Sequence, residues 1–330
     1  MRLVFLTQRV DSRHPALAAT IPKIDALARR VDELVVLAQS GTAAELPAGV
    51  DLHTFDAASR VRRGMTFERA LARALPADAV VAHMVPLYVV LAAPLVRPRR
   101  IPLVLWFTHW KPSALLRVAE RLSTAVVSVD RRSFPLESAK VRAIGHGIDV
   151  SEFPCVPWRD ARPFRAVVLG RYSPAKGLRT IFEAARMVDG LALEVHGAAL
   201  SELERRHRRD LDGFGVELGE AVSRAEVPEL FARADVLVNN MRAGAPDKVV
   251  YEAAASCLPV LASNPVFDEL FGDLPLTFSR DDPAALAERL RWLASLPVAE
   301  RAQIGRTLRE RVVARHSVES WADGVMEAVR

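Results

Sequence analysis

Four charged residues in two short stretches have types and spacing that suit phosphate chemistry. Lys248 and Glu252 lie in NNMRAGAPDKVVYEAAASCLPVLASNP, Asn239–Pro265, and Arg171 and Lys176 lie in GRYSPAKG, Gly170–Gly177. A Lys and a Glu four residues apart share one face of a helix. Pro246 suits the first position of such a helix, where a missing N–H costs nothing. The helix start then offers unpaired N–H groups and a partial positive charge, which suit a phosphate. An ammonium in the first turn with a carboxylate one turn deeper points to a nucleotide diphosphate; the plainer alternative is a surface Lys–Glu pair on an ordinary α/β helix. Arg171 and Lys176 straddle a tight turn at Ser173-Pro174. Two cations there would neutralise a diphosphate leaving group without a metal, the alternative being solvated loop charges. His109 follows the apolar run IPLVLWF, Ile101–Phe107, where the plain reading is a strand-end His bonded to backbone.

These residues need strands to hold them. Short apolar runs alternate with helical patterns along the chain: strands at Leu3–Leu6, Leu34–Ala38, Asp51–Phe55, Ala79–Ala82, Ile101–Phe107, Ala125–Val129 and Val141–Ile144. Helices are expected at Ala16–Arg30, Met65–Ala74, Leu87–Val96, Ala114–Ser123 and Ser133–Ser138, with a polar loop at Gln8–Pro15. Ser151–Pro163 has three prolines and Trp158 but no period, and reads as a linker. The alternation then restarts, with strands at Phe164–Leu169, Leu191–Val195, Val216–Leu218 and Val236–Val238, helices at Leu178–Val188, Ser201–Leu211 and Val227–Ala232, and two or three closing helices from Pro283 to Arg330. This pattern predicts an α/β chain of two Rossmann-like, doubly wound domains with parallel sheets covered on both faces. Ligands of such folds sit at the C-terminal ends of the strands, here expected in a cleft between the domains.

The totals fit. A chain of 330 residues, half of them hydrophobic, is comfortable for two α/β domains. The net charge of +5, from 45 basic and 40 acidic residues, permits an anionic substrate or an acidic membrane surface and requires neither. No basic run alternates with aromatics, which argues against nucleic acid. Only five of the basic residues are Lys (Lys23, Lys111, Lys140, Lys176, Lys248), so a Lys here marks a position needing a compact ammonium. Cys155 and Cys257 lie far apart without metal spacing, which argues for free thiols in a reducing compartment. Ala79–Val96, broken by His83, Pro86 and Pro94, splits into a strand and a helix rather than a membrane span. No G-x-G-x-x-G occurs, against a nicotinamide enzyme. Asp210-Leu211-Asp212 spells a metal-type Asp-x-Asp but closes a basic helix, and reads as surface charge.

In combination, GRYSPAKGLRTIFEAA, ADVLVNNMRAG and DKVVYEAAASCLPVLAS resemble the nucleotide-binding half of the group 1 (family 4) retaining glycosyltransferases of GT-B fold. LVLWFTHWK and KVRAIGHGID extend the likeness into the first half, and RHSVESWADGVMEAVR resembles the closing helix that crosses back to the first domain. The resemblance implies an acceptor-side domain at 1–150, a linker at 151–163, a nucleotide-sugar domain at 164–310 and a crossing helix at 311–330. It implies transfer of a sugar from a nucleotide-diphosphate sugar to a hydroxyl of a glycan, a lipid-linked sugar or a small molecule. No cofactor and no metal are expected, and the location is cytoplasmic, with peripheral contact at the inner membrane face left open.

Carried over by position, Arg171 and Lys176 hold the donor diphosphate, and Glu252 bonds the ribose as the second acid of a Glu–seven residues–Glu pattern. Gly244, Ala245, Pro246, Asp247 and Lys248 bring the helix start to phosphate or sugar. His109 sits by the reacting sugar, and Gln8, Asp11 and Lys111 lie on the acceptor side. Two positions depart from the family. The first acid of the pattern is Gly244, and the turn Gln8-Arg9-Val10-Asp11 lacks the glycines the family often carries. The first departure keeps a rival open: a non-catalytic GT-B-fold protein that binds nucleotide or acts as a scaffold.

Overall fold

The computed structural model describes residues 1–14, 17–155 and 163–330. Pro15, Ala16 and the central part of the expected linker, including Trp158, lie outside the described residues. The chain divides into two compact units, Met1–Asp149 with Arg315–Arg330, and Val150–Ala314.

The first unit is built on β1 (Arg2–Val10), α1 (Thr20–Ala28), β2 (Glu33–Gly41), β3 (Val50–Thr54), α2 (Arg60–Ala74), β4 (Ala79–His83), α3 (Pro86–Val96), β5 (Leu103–Trp106), α4 (Ala114–Leu122), β6 (Ala125–Ser128) and β7 (Val141–Ala143). Its strands form a parallel sheet in the order β3-β2-β1-β4-β5-β6-β7. The central strands are apolar on both faces because helices cover both, and Leu3–Leu6, Val35–Leu37 and Leu103–Leu105 are almost wholly buried. Where the sequence predicts a loop from Gln8, β1 runs on to Val10. The expected helix at Ser133–Ser138 is instead a short 3-10 turn at Arg131–Ser133, capped by Asp130. Pro135 explains the difference: a proline has no N–H for a helix interior and disfavours helix at the residue before it.

The second unit contains β8 (Phe164–Leu169), α5 (Leu178–Arg186), β9 (Leu191–His196), α6 (Glu202–Leu211), β10 (Leu218–Gly219), α7 (Val227–Ala232), β11 (Val236–Asn239), α8 (Lys248–Ala255), β12 (Val260–Ala262), α9 (Asp268–Phe271) and α10 (Pro283–Ser295). The parallel order is β10-β9-β8-β11-β12. Helix α11 (Val298–His316) closes this unit and runs past its boundary at Ala314. Helix α12 (Val318–Ala328) packs on α1 within the first unit, where Arg30 meets Glu319 and Asp323 at 2.7 Å each.

The cysteines require a correction. Cys155 and Cys257 are joined as a disulfide, with Cα atoms 5.1 Å apart, although 102 positions separate them in sequence. Sequence separation carries no distance, and α8 delivers Cys257 to the segment that opens the second unit. The inference of a reducing compartment from two free thiols loses its support. Among the described residues, no helix is long and apolar enough to cross a membrane.

Candidate functional site

In the second sheet the chain moves from β8 outward to β9 and β10, then returns to the other side of β8 as β11. The switch point therefore lies between the C-terminal ends of β8 and β11, where ligands of open parallel sheets collect. GRYSPAKG leaves the first of these strands and NMRAGAPD the second, so the two stretches singled out by their charges emerge side by side.

Their local structure is set by turn chemistry. The Ser173 hydroxyl accepts from the Ala175 N–H and caps a 3-10 turn at Pro174–Lys176. Gly177 follows in the left-handed region, at φ +58°, and opens α5. The loops are stitched together: the Arg242 N–H donates to Ala175 O at 3.0 Å, and Asn240 Nδ2 to Gly177 O at 3.1 Å. Gly170 leaves room for a side chain, since a Cβ there would lie 2.4 Å from Lys176 Nζ. The Lys176 ammonium forms an ion pair with the Asp247 carboxylate, to which Asn239 Nδ2 also donates at 2.7 Å. Lys176, Asn239 and Asp247 thus join the ends of both strands.

Helix α8 starts at Lys248 with Asp247 at its N-cap, and no side chain caps it. Pro246 lies just outside the helix rather than at its first position. Lys248 Nζ lies 2.7 Å from Glu252 Oε1, the spacing expected from sequence, but the pair is not a surface one. Glu252 is buried, and Arg224 Nη1 reaches the same oxygen at 3.3 Å while its other nitrogen meets Glu152. Glu252 is therefore a buried carboxylate held by two cations. Arg171 departs from its expected place. It is exposed and pairs with Glu204 of α6 at 3.1 Å, away from the Lys176–Asp247 pair. Gly244 has φ +77°, in the region that favours glycine, so the position where the family carries an acid has a backbone that resists one. Asn264, buried behind this loop, donates to Arg242 O at 3.0 Å and Ala245 O at 2.9 Å and fixes its path into α8.

Arg224, Asn239, Asn240 and Asn264 were not singled out from sequence. The Asn239-Asn240 pair at the end of a buried strand is a usable signal, because buried amides need partners. Arg224 sits in no pattern, and only the fold brings it to Glu252.

In the first unit Gln8 is on β1 and Asp11 just beyond it. Asp11 is engaged locally, accepting the Arg13 N–H at 3.0 Å and facing Arg9 Nη1 at 3.5 Å. His109 and exposed Lys111 follow β5, and since β4 lies between β1 and β5, they emerge two strands from Gln8. His109 is exposed and stacked on Trp110, and its Nδ1 accepts the Lys111 N–H at 2.9 Å. That bond puts the proton of the neutral ring on Nε2. His83 ends β4, buried and stacked on Trp106 at 4.8 Å. Burial, with Lys23 nearby, holds its pKa well below the usual value, so it is a neutral core group. Asp210 and Asp212 are exposed at the end of α6, and among the described residues no group of three or more His, Cys, Asp or Glu is placed to hold a metal.

Residues 171–327 match the model of a family described as glycosyl transferase-like. This stretch is glycosyl transferase-like in sequence. No curated protein matches the chain. Among solved structures, Anabaena HepE in complex with UDP is 20% identical, with a TM-score of 0.78 over 100% of this chain and 99% of that one. The same protein with UDP-glucose gives 18% and 0.77, again over 100% and 99%. Sucrose-phosphate synthase from Thermosynechococcus elongatus gives 16% and 0.75, over 99% and 98%. At these identities the likeness is one of fold, and the fold is GT-B. The sequence resemblance to group 1 glycosyltransferases is borne out, and the glycosyl transferase-like region contains the whole Lys176–Asp247–Glu252 cluster.

Proposed function

We propose that the chain is a retaining glycosyltransferase that moves a sugar from a nucleotide-diphosphate sugar to an acceptor hydroxyl without a metal. One observation carries the reading: Lys176 and the start of α8 converge at the switch point of the glycosyl transferase-like unit. HepE, of the same fold, is solved with UDP and with UDP-glucose, which supports a nucleotide-sugar donor here.

In this reading the donor diphosphate takes the place of Asp247 as the partner of the Lys176 ammonium. The N–H groups at the start of α8 add neutral donors, and together they stabilise the charge that develops as the anomeric C–O bond breaks. The acceptor oxygen attacks the same face of the sugar, and its proton passes to the departing phosphate oxygen, so no carboxylate dyad is needed. Asp247, released from Lys176, lies three positions after Gly244 and takes over sugar contact. Glu252, pre-oriented by Lys248 and Arg224, accepts from the ribose hydroxyls. Arg171 must leave Glu204 to reach phosphate. His109 Nε2 donates to a hydroxyl of the sugar or acceptor.

The positive φ of Gly244 favours a second reading, a GT-B protein that binds nucleotide without transferring sugar. Calorimetric titration with UDP, GDP and ADP, followed by donor hydrolysis, separates the two. Binding of one nucleotide with slow sugar release supports the transferase, and binding without turnover on any donor supports the second reading. Lys176→Ala is expected to weaken nucleotide binding by roughly tenfold or more, the scale of one charge-assisted contact. Unchanged binding in that variant would sink the donor site.

A further inference from the structure

The first unit contains a cavity of about 440 Å³ at the C-terminal edge of its sheet. Its floor is aromatic. Phe55, Phe67 and Tyr88 are all buried, and their rings meet edge to face at 5.2 and 5.5 Å and stacked at 5.5 Å. Val85, Leu87 and Leu91 extend the apolar wall. Such a surface is preformed, because interlocked rings have few ways to rearrange.

The polar groups of the cavity are few and converge. Gln8 of β1 and Gln39 of β2 are neighbours in the parallel register, and neither amide has a hydrogen-bond partner among the described residues. The Tyr88 hydroxyl likewise has none, although its ring is 5% exposed. Burial pushes the Tyr88 pKa up to about 12, against the pull of Arg63, so the group remains a donor at neutral pH. Arg60 and Arg63 also line the cavity. Asp56 and Ala57 O fix the Arg63 guanidinium at 3.1 and 3.2 Å, whereas Arg60 makes no ion pair among the described residues.

Two features of α2 favour a ligand in the cavity. Its first turn carries Arg60, Arg62 and Arg63 and no acid, although cations at a helix N-terminus are repelled by the dipole. Gly64 stands inside the helix, where glycine is a poorer helix former than Ala. No packing excuses it: a Cβ at Gly64 would meet nothing within 4 Å, and Gly64 lines the cavity.

We propose that this cavity is the acceptor pocket and that it takes a flat, apolar ring system bearing an anionic group, phosphate or carboxylate. The rings hold the apolar body, Arg60 and Arg63 meet the anion, and Gln8, Gln39 and Tyr88 bond its hydroxyls. The absence of a side chain at Gly64 lets the ligand approach the α2 backbone. Its role as acceptor pocket rests on the transferase reading; the ligand class rests on the cavity alone.

The test is calorimetric titration of the full chain with 1-naphthyl phosphate, 1-naphthol and inorganic phosphate. The proposal expects 1-naphthyl phosphate to bind at least about tenfold tighter than either half, since each half forfeits one set of contacts. Arg60→Gln should weaken it about tenfold, the scale of one charge-assisted contact. Gly64→Leu should abolish it while the Tm holds or rises, because Leu fills empty space and is the better helix former. Equal binding of 1-naphthol overturns the anionic half, and equal binding of inorganic phosphate overturns the apolar half. No binding at millimolar concentration, or full binding by Gly64→Leu, overturns the pocket. UDP titration of the same variants separates the two readings: wild-type chain that binds 1-naphthyl phosphate but no nucleotide would sink the donor site and leave the pocket standing.

Discussion

The five lysines show how far residue type alone can be pressed in an arginine-rich chain. Lys176 and Lys248 belong to the candidate donor site, and Lys111 is exposed beside His109. The other two serve the fold. Lys140 Nζ donates to the carbonyls of Glu120, Arg121 and Ser123 and closes the C-terminus of α4, where a cation is favoured. Lys23 is buried, with its ammonium 4.3 Å from the Trp106 ring and 5.3 Å from that of Trp321. Lys176, Lys248, Lys140 and Lys23 each use a compact charge, but only position in the fold separates ligand from structure. Gly244 carries the residue-scale prediction. At φ +77° a side chain costs about 1–2 kcal/mol, so Gly244→Ala and Gly244→Glu should lose similar stability in urea denaturation. If Gly244→Glu is as stable as the parent, the loop can carry the family's acid and the second reading loses its support.

At the scale of elements, the alternation of apolar runs with helical patterns was readable because both sheets are parallel and buried on both faces. Strands such as Phe164–Leu169 are nearly continuous apolar segments, and turn residues bound them. What could not be read is lateral order. The switch points at β1/β4 and β8/β11 follow from which strand pairs with which, and period carries no information about that. The same limit explains Arg171, whose partner Glu204 lies on a helix two elements away, and the Cys155–Cys257 bridge. The donor loops were legible because they follow their strands directly. The cavity in the first unit was not, apart from Gln8, because its lining is spread over β1, β2, the residue after β3, α2 and α3. Asp235 marks the packing that holds the second sheet. It opens β11, accepts the Arg165 N–H of β8 at 2.8 Å, and faces Arg301 of α11 at 3.4 Å, with both side chains buried. Asp235→Ala removes the acceptor of the Arg165 N–H and one partner of the buried Arg301, at a cost of roughly 1–3 kcal/mol. Asp235→Asn, which keeps a hydrogen-bond acceptor, should lose less. Equal stability of Asp235→Ala and the parent in urea would show that water reaches Arg301 and that the pair does not tie α11 to the sheet.

At the scale of the whole molecule, the histidines make stability depend on pH, and they are unevenly placed. His316 and His83 both belong to the first unit and are buried. Burial, with Arg315 adding and Asp130 opposing, lowers the His316 pKa to about 4, and His83 lies well below its usual value. In the second unit His207 is lowered by burial too, but it is less enclosed. Above neutral pH these groups are uncharged in both folded and unfolded chain and contribute no pH dependence. As the pH falls below about 6.5, the unfolded chain takes up protons that the folded first unit refuses, and stability declines. For His316 the decline continues to about pH 4, near which the folded group also titrates, and amounts to about 3 kcal/mol in total. His316→Gln removes this proton without removing the hydrogen-bonding capacity of the side chain. In urea denaturation the parent should therefore lose about 2–3 kcal/mol more than the variant between pH 7.5 and pH 4.5. Parallel pH profiles for the two proteins would show that His316 is protonated in the folded state, and that acid sensitivity arises from the carboxylates instead.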